Sequence, residues 1–349
     1  MNLDYKNYIH PTFALNGQKL DFVSLVALSV KLLSSNQEHE ILLGKLIEEW
    51  FNDQDYTTLT TSGTTGTPKL IKIKKDAMVQ SAIASEKYFN IPGQARALHC
   101  LPVQYIAGKM MFIRAILLGW DLTYVAPNSS PLSNFNTRFN FVAMVPLQVE
   151  NSLEKLHLID TIIIGGAKVN TTLRQKLLGF KTKIYETYGM TETVTHIAAK
   201  LISEESFSAL PNVEFFIDDR NCLGIHAPRV SDEDIQTNDI VSLNTKTSFK
   251  WLGRVDNVIN SGGIKLFPEK IEEKLEPYIN KRFFVGGIPD EKLGMKLVLI
   301  IEGENYSLDL KKIPTLSKFE IPKEIHFILQ FLETDTSKIK RNEMLQMIV

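Results

Sequence analysis

Between residues 97 and 186 short, mainly apolar runs alternate with helical stretches, and that alternation narrows the fold more than any other feature of the chain. The apolar runs lie at 97–101, 122–125, 141–145, 161–164 and 183–185, and the helical stretches at 109–118, 146–156 and 171–178. A strand with no polar side has no face to offer water, so these runs belong in a largely parallel sheet covered by helices on both sides. From about 195 to 255 the pattern changes to short alternating strands with turn signals, at 195–200, 213–217 and 240–244, which reads as an antiparallel piece. After Asp256 a helix opened by Pro268 carries Glu269, Glu272 and Glu273 near its positive end and should stop at Pro277. Strands at 282–285 and 296–301 then complete a small α+β unit. With 349 residues, the chain exceeds the ~250–300 at which a single core stops growing. The expected fold is α/β: a large N-terminal domain (1–255) with a mostly parallel, helix-covered sheet and an antiparallel piece, then a small mobile α+β domain (256–349).

Composition excludes several function classes. A net charge of −1 supplies no field for nucleic acid or an anionic membrane, so a small-molecule partner fits better. The start, Met1-Asn2-Leu3-Asp4-Tyr5-Lys6, lacks a signal peptide's apolar core, and no run approaches the ~18 apolar residues of a membrane span. Two distant cysteines, Cys100 and Cys222, make neither a disulfide framework nor a metal site, which suits a reducing cytoplasm.

Residues 61–69 read Thr61-Ser62-Gly63-Thr64-Thr65-Gly66-Thr67-Pro68-Lys69. The glycines let backbone N–H groups turn inward, the hydroxyls add rotatable donors and the lysine adds a point charge, a composition suited to phosphate; a flexible polar linker is the bland alternative. It is not a Walker A loop, because Pro68 stands where the second glycine should be and Leu70 where Ser/Thr should be. A second run, Tyr185-Glu186-Thr187-Tyr188-Gly189-Met190-Thr191-Glu192, follows a predicted strand end, where ligands collect in doubly wound sheets. There an aromatic ring can stack on a purine and Glu192 can hold a hard cation. Gly165-Gly166 ends another strand, as a ligand approach or a tight turn. Asp239 falls in an apparent Thr237-Asn238-Asp239 turn, Arg254 lies in the run joining the two domains, and residues 334–341 form a polar loop with Lys338, Lys340 and Arg341.

In identity, order and spacing these runs resemble the adenylate-forming superfamily of acyl-CoA synthetases, luciferases and adenylation domains. Its phosphate loop is matched from Thr61 to Lys69 and its Y-G-x-T-E run by Tyr188 to Glu192. Its hinge run is matched by Gly253, Arg254, Asp256, Ser261, Gly262, Gly263, Pro268, Ile271 and Glu272. Its C-terminal T-x-x-G-K-[IV]-x-R appears as Thr334, Ser337, Lys338, Ile339 and Arg341. The resemblance implies ATP, Mg²⁺ and coenzyme A with a small carboxylic acid. Thr61, Ser62, Gly63, Thr64, Thr65, Gly66 and Lys69 would guide the β- and γ-phosphates, with Gly165, Gly166 and Gly189 lining the nucleotide. Tyr188 would lie against adenine, Thr191 and Glu192 would hold the α-phosphate and Mg²⁺, and Asp239 and Arg254 would take the ribose and phosphate side. Asp256 would be a hinge that brings Gly262 and Gly263 to the acyl side. Lys338 would bridge carboxylate and α-phosphate in the transition state, where a cation is worth most.

Three positions depart from the family pattern: Tyr105 stands at a frequent pocket histidine, Ser337 at the glycine before the lysine, and Asn238 in the T-G-D turn. The phosphate loop also comes early. That short front, with the 101–115 stretch, resembles the o-succinylbenzoate-CoA ligases of menaquinone biosynthesis. A two-carboxylate acid needs a cation for its unreactive end; Arg114 is the candidate, against the alternative of an Arg on an exposed helix face. The reading is an AMP-forming acid:CoA ligase; transfer to a carrier protein, or an inactive nucleotide-binding paralogue, are the alternatives.

Overall fold

A computed structural model describes residues 7–61, 69–333 and 339–348. The front of the chain forms strands β1 (Ala14–Leu15) and β2 (Gln18–Lys19) and helices α1 (Phe22–Leu33) and α2 (Glu38–Phe51). Strands β3 (Tyr56–Thr61) and β4 (Lys69–Lys74) precede helix α3 (Lys75–Phe89). The alternating region follows as β5 (Arg96–His99), α4 (Ile106–Leu118), β6 (Asp121–Tyr124), β7 (Phe139–Met144), α5 (Pro146–Glu150), β8 (Ile159–Ile164), α6 (Thr171–Leu177) and β9 (Lys183–Gly189). Then come β10 (His196–Leu201), β11 (Phe207–Ala209), β12 (Glu214–Ile217), β13 (Cys222–His226), β14 (Ile235–Thr245) and β15 (Ser248–Arg254). The last part holds β16 (Ile259–Ser261), β17 (Ile264–Leu266), α7 (Pro268–Leu275), β18 (Phe283–Asp290), β19 (Gly294–Glu302), β20 (Glu324–Ile328) and α8 (Arg341–Gln346).

One 13-stranded sheet runs β12-β13-β14-β15-β11-β10-β9-β8-β7-β5-β6-β1-β2. Its β9-to-β1 stretch is parallel throughout, and from β10 onward the pairs are antiparallel. Successive side chains of a strand point to opposite faces, and here both faces are buried. Ala97, Phe141, Ala143 and Ile163 pack into one core with α3 and α4, while Leu98, Val142, Ile162 and Ile164 pack into a second with α5 and α6. A separate sheet, β17-β16-β19-β18 with β20 parallel on β19, forms after residue 258, and β3 and β4 make a third sheet by themselves.

Several local expectations need correction. The helix expected over 146–156 is split: α5 stops at Glu150 and a 3₁₀ turn covers Leu153–Leu158. Helix α7 does stop where Pro277 was expected to end it: it runs to Leu275, and Pro277, which cannot donate, sits inside a 3₁₀ turn, Glu276–Tyr278. Thr237-Asn238-Asp239 is no turn but lies within the long strand β14, and Tyr188 and Gly189 are the last residues of β9 rather than loop. Among the described residues no helix is long and apolar enough to cross a membrane.

Ile162 is fully buried between β7 and β9. Ile162→Ala should therefore cost roughly 2–5 kcal/mol. Urea denaturation with an unchanged m-value checks this, and a loss below about 1 kcal/mol would mean that this face of the sheet is not closed.

Candidate active site

Because β5, β7, β8 and β9 run parallel, their carboxyl ends lie on one edge, and three of the predicted segments start there. After β8, the Gly165 N–H donates to Met144 O at 3.1 Å, and a Cβ at Gly165 would come within 2.9 Å of Thr187 Oγ1. Gly166 has φ +82°, a conformation that favours glycine. After β9, Gly189 passes so close to β10 that a Cβ would meet Thr195 O at 2.3 Å. The chain then reverses through Thr191–Thr193, and Val194 takes φ +65°, ψ −59° with the Thr195 N–H donating to Thr193 O at 2.7 Å. A buried β-branched residue in that region is strained, and such turns persist where the surroundings over-determine them. At its apex Glu192 is exposed and, with Thr191, lines a cleft of about 280 Å³ shared with Lys72, Lys74, Arg229 and Asp232. Among the described residues no group of three or more His, Cys, Asp or Glu gathers as a metal cage. A magnesium ion held by one carboxylate and phosphate oxygens requires none.

The antiparallel half brings Asp239 to the same place. Asp239 is buried opposite Arg254, and its carboxylate accepts from Tyr188 Oη at 2.6 Å and from Trp251 Nε1 at 3.0 Å. Burial, and next the Asp239 charge, push the Tyr188 phenol far up, so it stays a donor. The Tyr188 ring stands edge-on to Phe249, with centroids 5.1 Å apart. Arg254 Nη2 donates to Asp256 Oδ2 at 2.7 Å, and Asn238 Nδ2 reaches the same oxygen at 3.2 Å. Thus Tyr188, Trp251 and Asp239 form one hydrogen-bonded group and Arg254, Asn238 and Asp256 a second, set side by side where Asp239 pairs with Arg254 in the β14–β15 ladder; Trp251 carries no local motif and was missed by sequence reasoning. Gly262 and Gly263 stand apart from both. With φ +56° and +80° they turn the β16–β17 hairpin, and the Gly262 N–H donates to Leu293 O at 2.9 Å.

Of the residues expected to meet the acid, Tyr105 is exposed at the N-cap of α4, and a Cβ at nearby Gly108 would lie 2.2 Å from Pro102 O. Arg114 is not on an exposed face: it is 1% exposed, and its Nε and Nη2 have no hydrogen-bond partner among the described residues. Burial lowers its pKa to about 9, so it remains cationic at neutral pH. Burial, then the Arg114 charge, hold His196 well below its usual pKa, and its Nε2 lies 3.0 Å from Ser85 Oγ. A neutral His196 leaves Arg114 as the local charge. No periodicity marked His196. Ser62, Gly63, Thr64, Thr65, Gly66 and Lys338 lie outside the described residues; Thr61 and Lys69 pair as the last rung of β3–β4, their side chains likewise undescribed.

A protein-family model described as AMP-binding enzyme matches residues 22–224. The crystal structure of an acyl-CoA synthetase (AMP-forming)/AMP-acid ligase II-like protein from Dyadobacter fermentans is 34% identical, with 93% of this chain and 98% of that one covered and a TM-score of 0.61. A 2-succinylbenzoate–CoA ligase of Staphylococcus aureus is 25% identical over 333 residues, covering 84% of this chain and 68% of the relative. The o-succinylbenzoate CoA synthetase of Bacillus subtilis in complex with the acyl-adenylate intermediate OSB-AMP shares the fold at a TM-score of 0.79 and 17% identity, over 95% of each chain.

If Tyr188 serves Asp239 as a donor, Tyr188→Phe should weaken AMP binding about tenfold, the loss of one hydrogen bond to a charged group. Calorimetric titration with AMP measures it, and an unchanged dissociation constant would remove Tyr188 from nucleotide binding.

Proposed function

This chain belongs to the AMP-binding enzyme family and is an AMP-forming acid–CoA ligase, and from that premise we propose that the acid it activates carries a second carboxylate, with o-succinylbenzoate the candidate. Arg114 carries the reading. A buried guanidinium whose Nε and Nη2 find no partner among the described residues is costly, and a carboxylate is the group whose two oxygens match its fork. The relatives named 2-succinylbenzoate–CoA ligase support the same acid.

In the proposed reaction Thr61 to Lys69 guide the β- and γ-phosphates, Tyr188 lies against adenine, Asp239 takes the ribose hydroxyls, and Thr191 and Arg254 take the phosphate side. Glu192 would hold a magnesium ion with the phosphate oxygens, and the ion would neutralise charge there. The reacting carboxylate attacks the α-phosphorus, the bond to pyrophosphate breaks, and acyl-AMP forms with Lys338 opposite the developing charge. The CoA thiol, losing its proton, then attacks the acyl carbonyl and AMP leaves. We propose that residues 256–349 act as a cap turning about Asp256, which withdraws Lys338 and brings Ser261 to Gly263 to the acyl side. The change of sheet between Arg254 and Ile259 supports that division.

Two experiments test this. Lys338→Ala should lose adenylation by about 10²–10³ while acyl-AMP supplied directly is still thioesterified; undiminished pyrophosphate exchange would refute the lysine's role. Arg114→Met should raise the stability of the ligand-free protein by about 1–3 kcal/mol, since it removes a buried unsatisfied group. The same variant should lose pyrophosphate exchange with the diacid selectively over monocarboxylic acids in an acid panel. A panel in which wild type prefers monocarboxylic acids would sink the second-carboxylate reading.

A further inference from the structure

We infer that Glu49, through Lys109 and Thr57, is a positioning residue that fixes the β3–β4 hairpin, and with it the ends of the phosphate-loop segment, against helix α4. The inference rests on the AMP-forming reading for the identity of the ligand. Among the described residues, strands β3 and β4 pair only with each other and share no ladder with the 13-stranded sheet. A two-stranded pair is marginal alone, so its placement depends on side chains. Leu59 and Ile73 give it an apolar footing in the core that also holds α3 and α4. Apolar contact is non-directional and does not by itself fix the hairpin's position; β4 also runs directly into α3 and pairs through Lys74 with the exposed Asp232, neither of which is a polar contact with α4.

The polar contact is directional. Glu49 on α2 pairs through Oε2 with Lys109 of α4, while its Oε1 accepts from Thr57 Oγ1 and, at 3.2 Å, from the Thr58 N–H. Lys109 Nζ closes the ring on Thr57 Oγ1 at 3.0 Å. Thr57 is buried and the Lys109 side chain is 8% exposed, so a slip of the hairpin would strip Glu49 Oε1 of its Thr57 and Thr58 donors beside a largely desolvated ion pair. Burial raises the Glu49 pKa, but the bonds from Lys109 and Thr57 outweigh it and hold the carboxyl below its usual range, as a formed ion pair requires. Helix α4 also carries Tyr105 at its N-cap and Arg114 five residues beyond Lys109. One ring of three side chains therefore connects the hairpin of the ATP side to the helix of the acid side.

Because single removal strands a buried charge, the test uses both Glu49→Gln and the neutral pair Glu49→Gln with Lys109→Met. Calorimetric titration without acid compares Mg·ATP with AMP. The double variant, folded by circular dichroism and with a melting temperature near wild type, should bind ATP about tenfold more weakly and AMP unchanged, because AMP has no β- or γ-phosphate for the hairpin to meet. Acyl-AMP supplied directly should still be thioesterified at the wild-type rate. Lys109→Arg, which keeps the pair, should restore ATP binding when Glu49 is present. Equal weakening of ATP and AMP, or no weakening of either in a folded double variant, overturns the inference. Wild-type protein that binds neither nucleotide overturns the nucleotide reading itself and this inference with it.

Discussion

Burial of β7 and β8 on both faces is the constraint from which the rest follows. Ile162 and Ile164 face one core, and Ile163 and Ala143 face the other. No side of these strands is left for polar chemistry, so it can emerge only where the ladder stops. All the parallel strands stop on one edge, which gathers the segment before Tyr105, the Gly165-Gly166 pair and the Tyr188 to Glu192 run. The glycines there answer close contacts: side-chain approach at Gly165 and backbone approach at Gly108 and Gly189.

A second requirement is that the antiparallel half reach that edge. Asp239 achieves it by accepting from Tyr188 of β9 and Trp251 of β15 together. Each is a hydrogen bond to a charged acceptor and contributes on the order of 1.5–3 kcal/mol. The cost of desolvating the carboxylate is offset only while both donors stay in place. In the β14–β15 ladder Asp239 pairs with Arg254, whose side chain holds Asp256 shortly before the chain enters the smaller sheet. A change in the orientation of the residues after 258 would therefore be felt first at Asp256, and next at Asn238 and Arg254.

How much of this was legible in the sequence depended on whether the signal was local. The run Thr161-Ile162-Ile163-Ile164, apolar on both faces, named a doubly covered strand because burial on both faces leaves a compositional trace within one strand. For Tyr188 to Glu192 the local pattern marked the chain reversal at Thr191–Thr193 but put Tyr188 and Gly189 outside the strand that contains them. Asp239 was misread because Thr-Asn-Asp is turn composition. The 11-residue strand β14 overrides it through pairing with β15, with a register irregularity between Ile240 and Val241. Trp251 and His196 were invisible, since what matters about each is a partner on another element. Arg114 was ambiguous: its helix is apolar nearly all round, and an Arg within it reads equally as a solvated exception or a buried charge.

The buried charges resolve that ambiguity among themselves. Lys75 bonds to Asn52, Lys109 to Glu49 and Thr57, and Lys200 and Arg174 to Glu186, while Asp239 has its two donors. Each could be retained for the geometry that it enforces, because a paired interior charge stabilises little against an apolar side chain of equal size. Arg114 enforces no such contact within the described residues, and its two free donors weaken the fold instead of holding it. On the reading proposed above, Arg114 answers to the acid that the protein binds, which accounts for two unpartnered guanidinium nitrogens being kept in the interior.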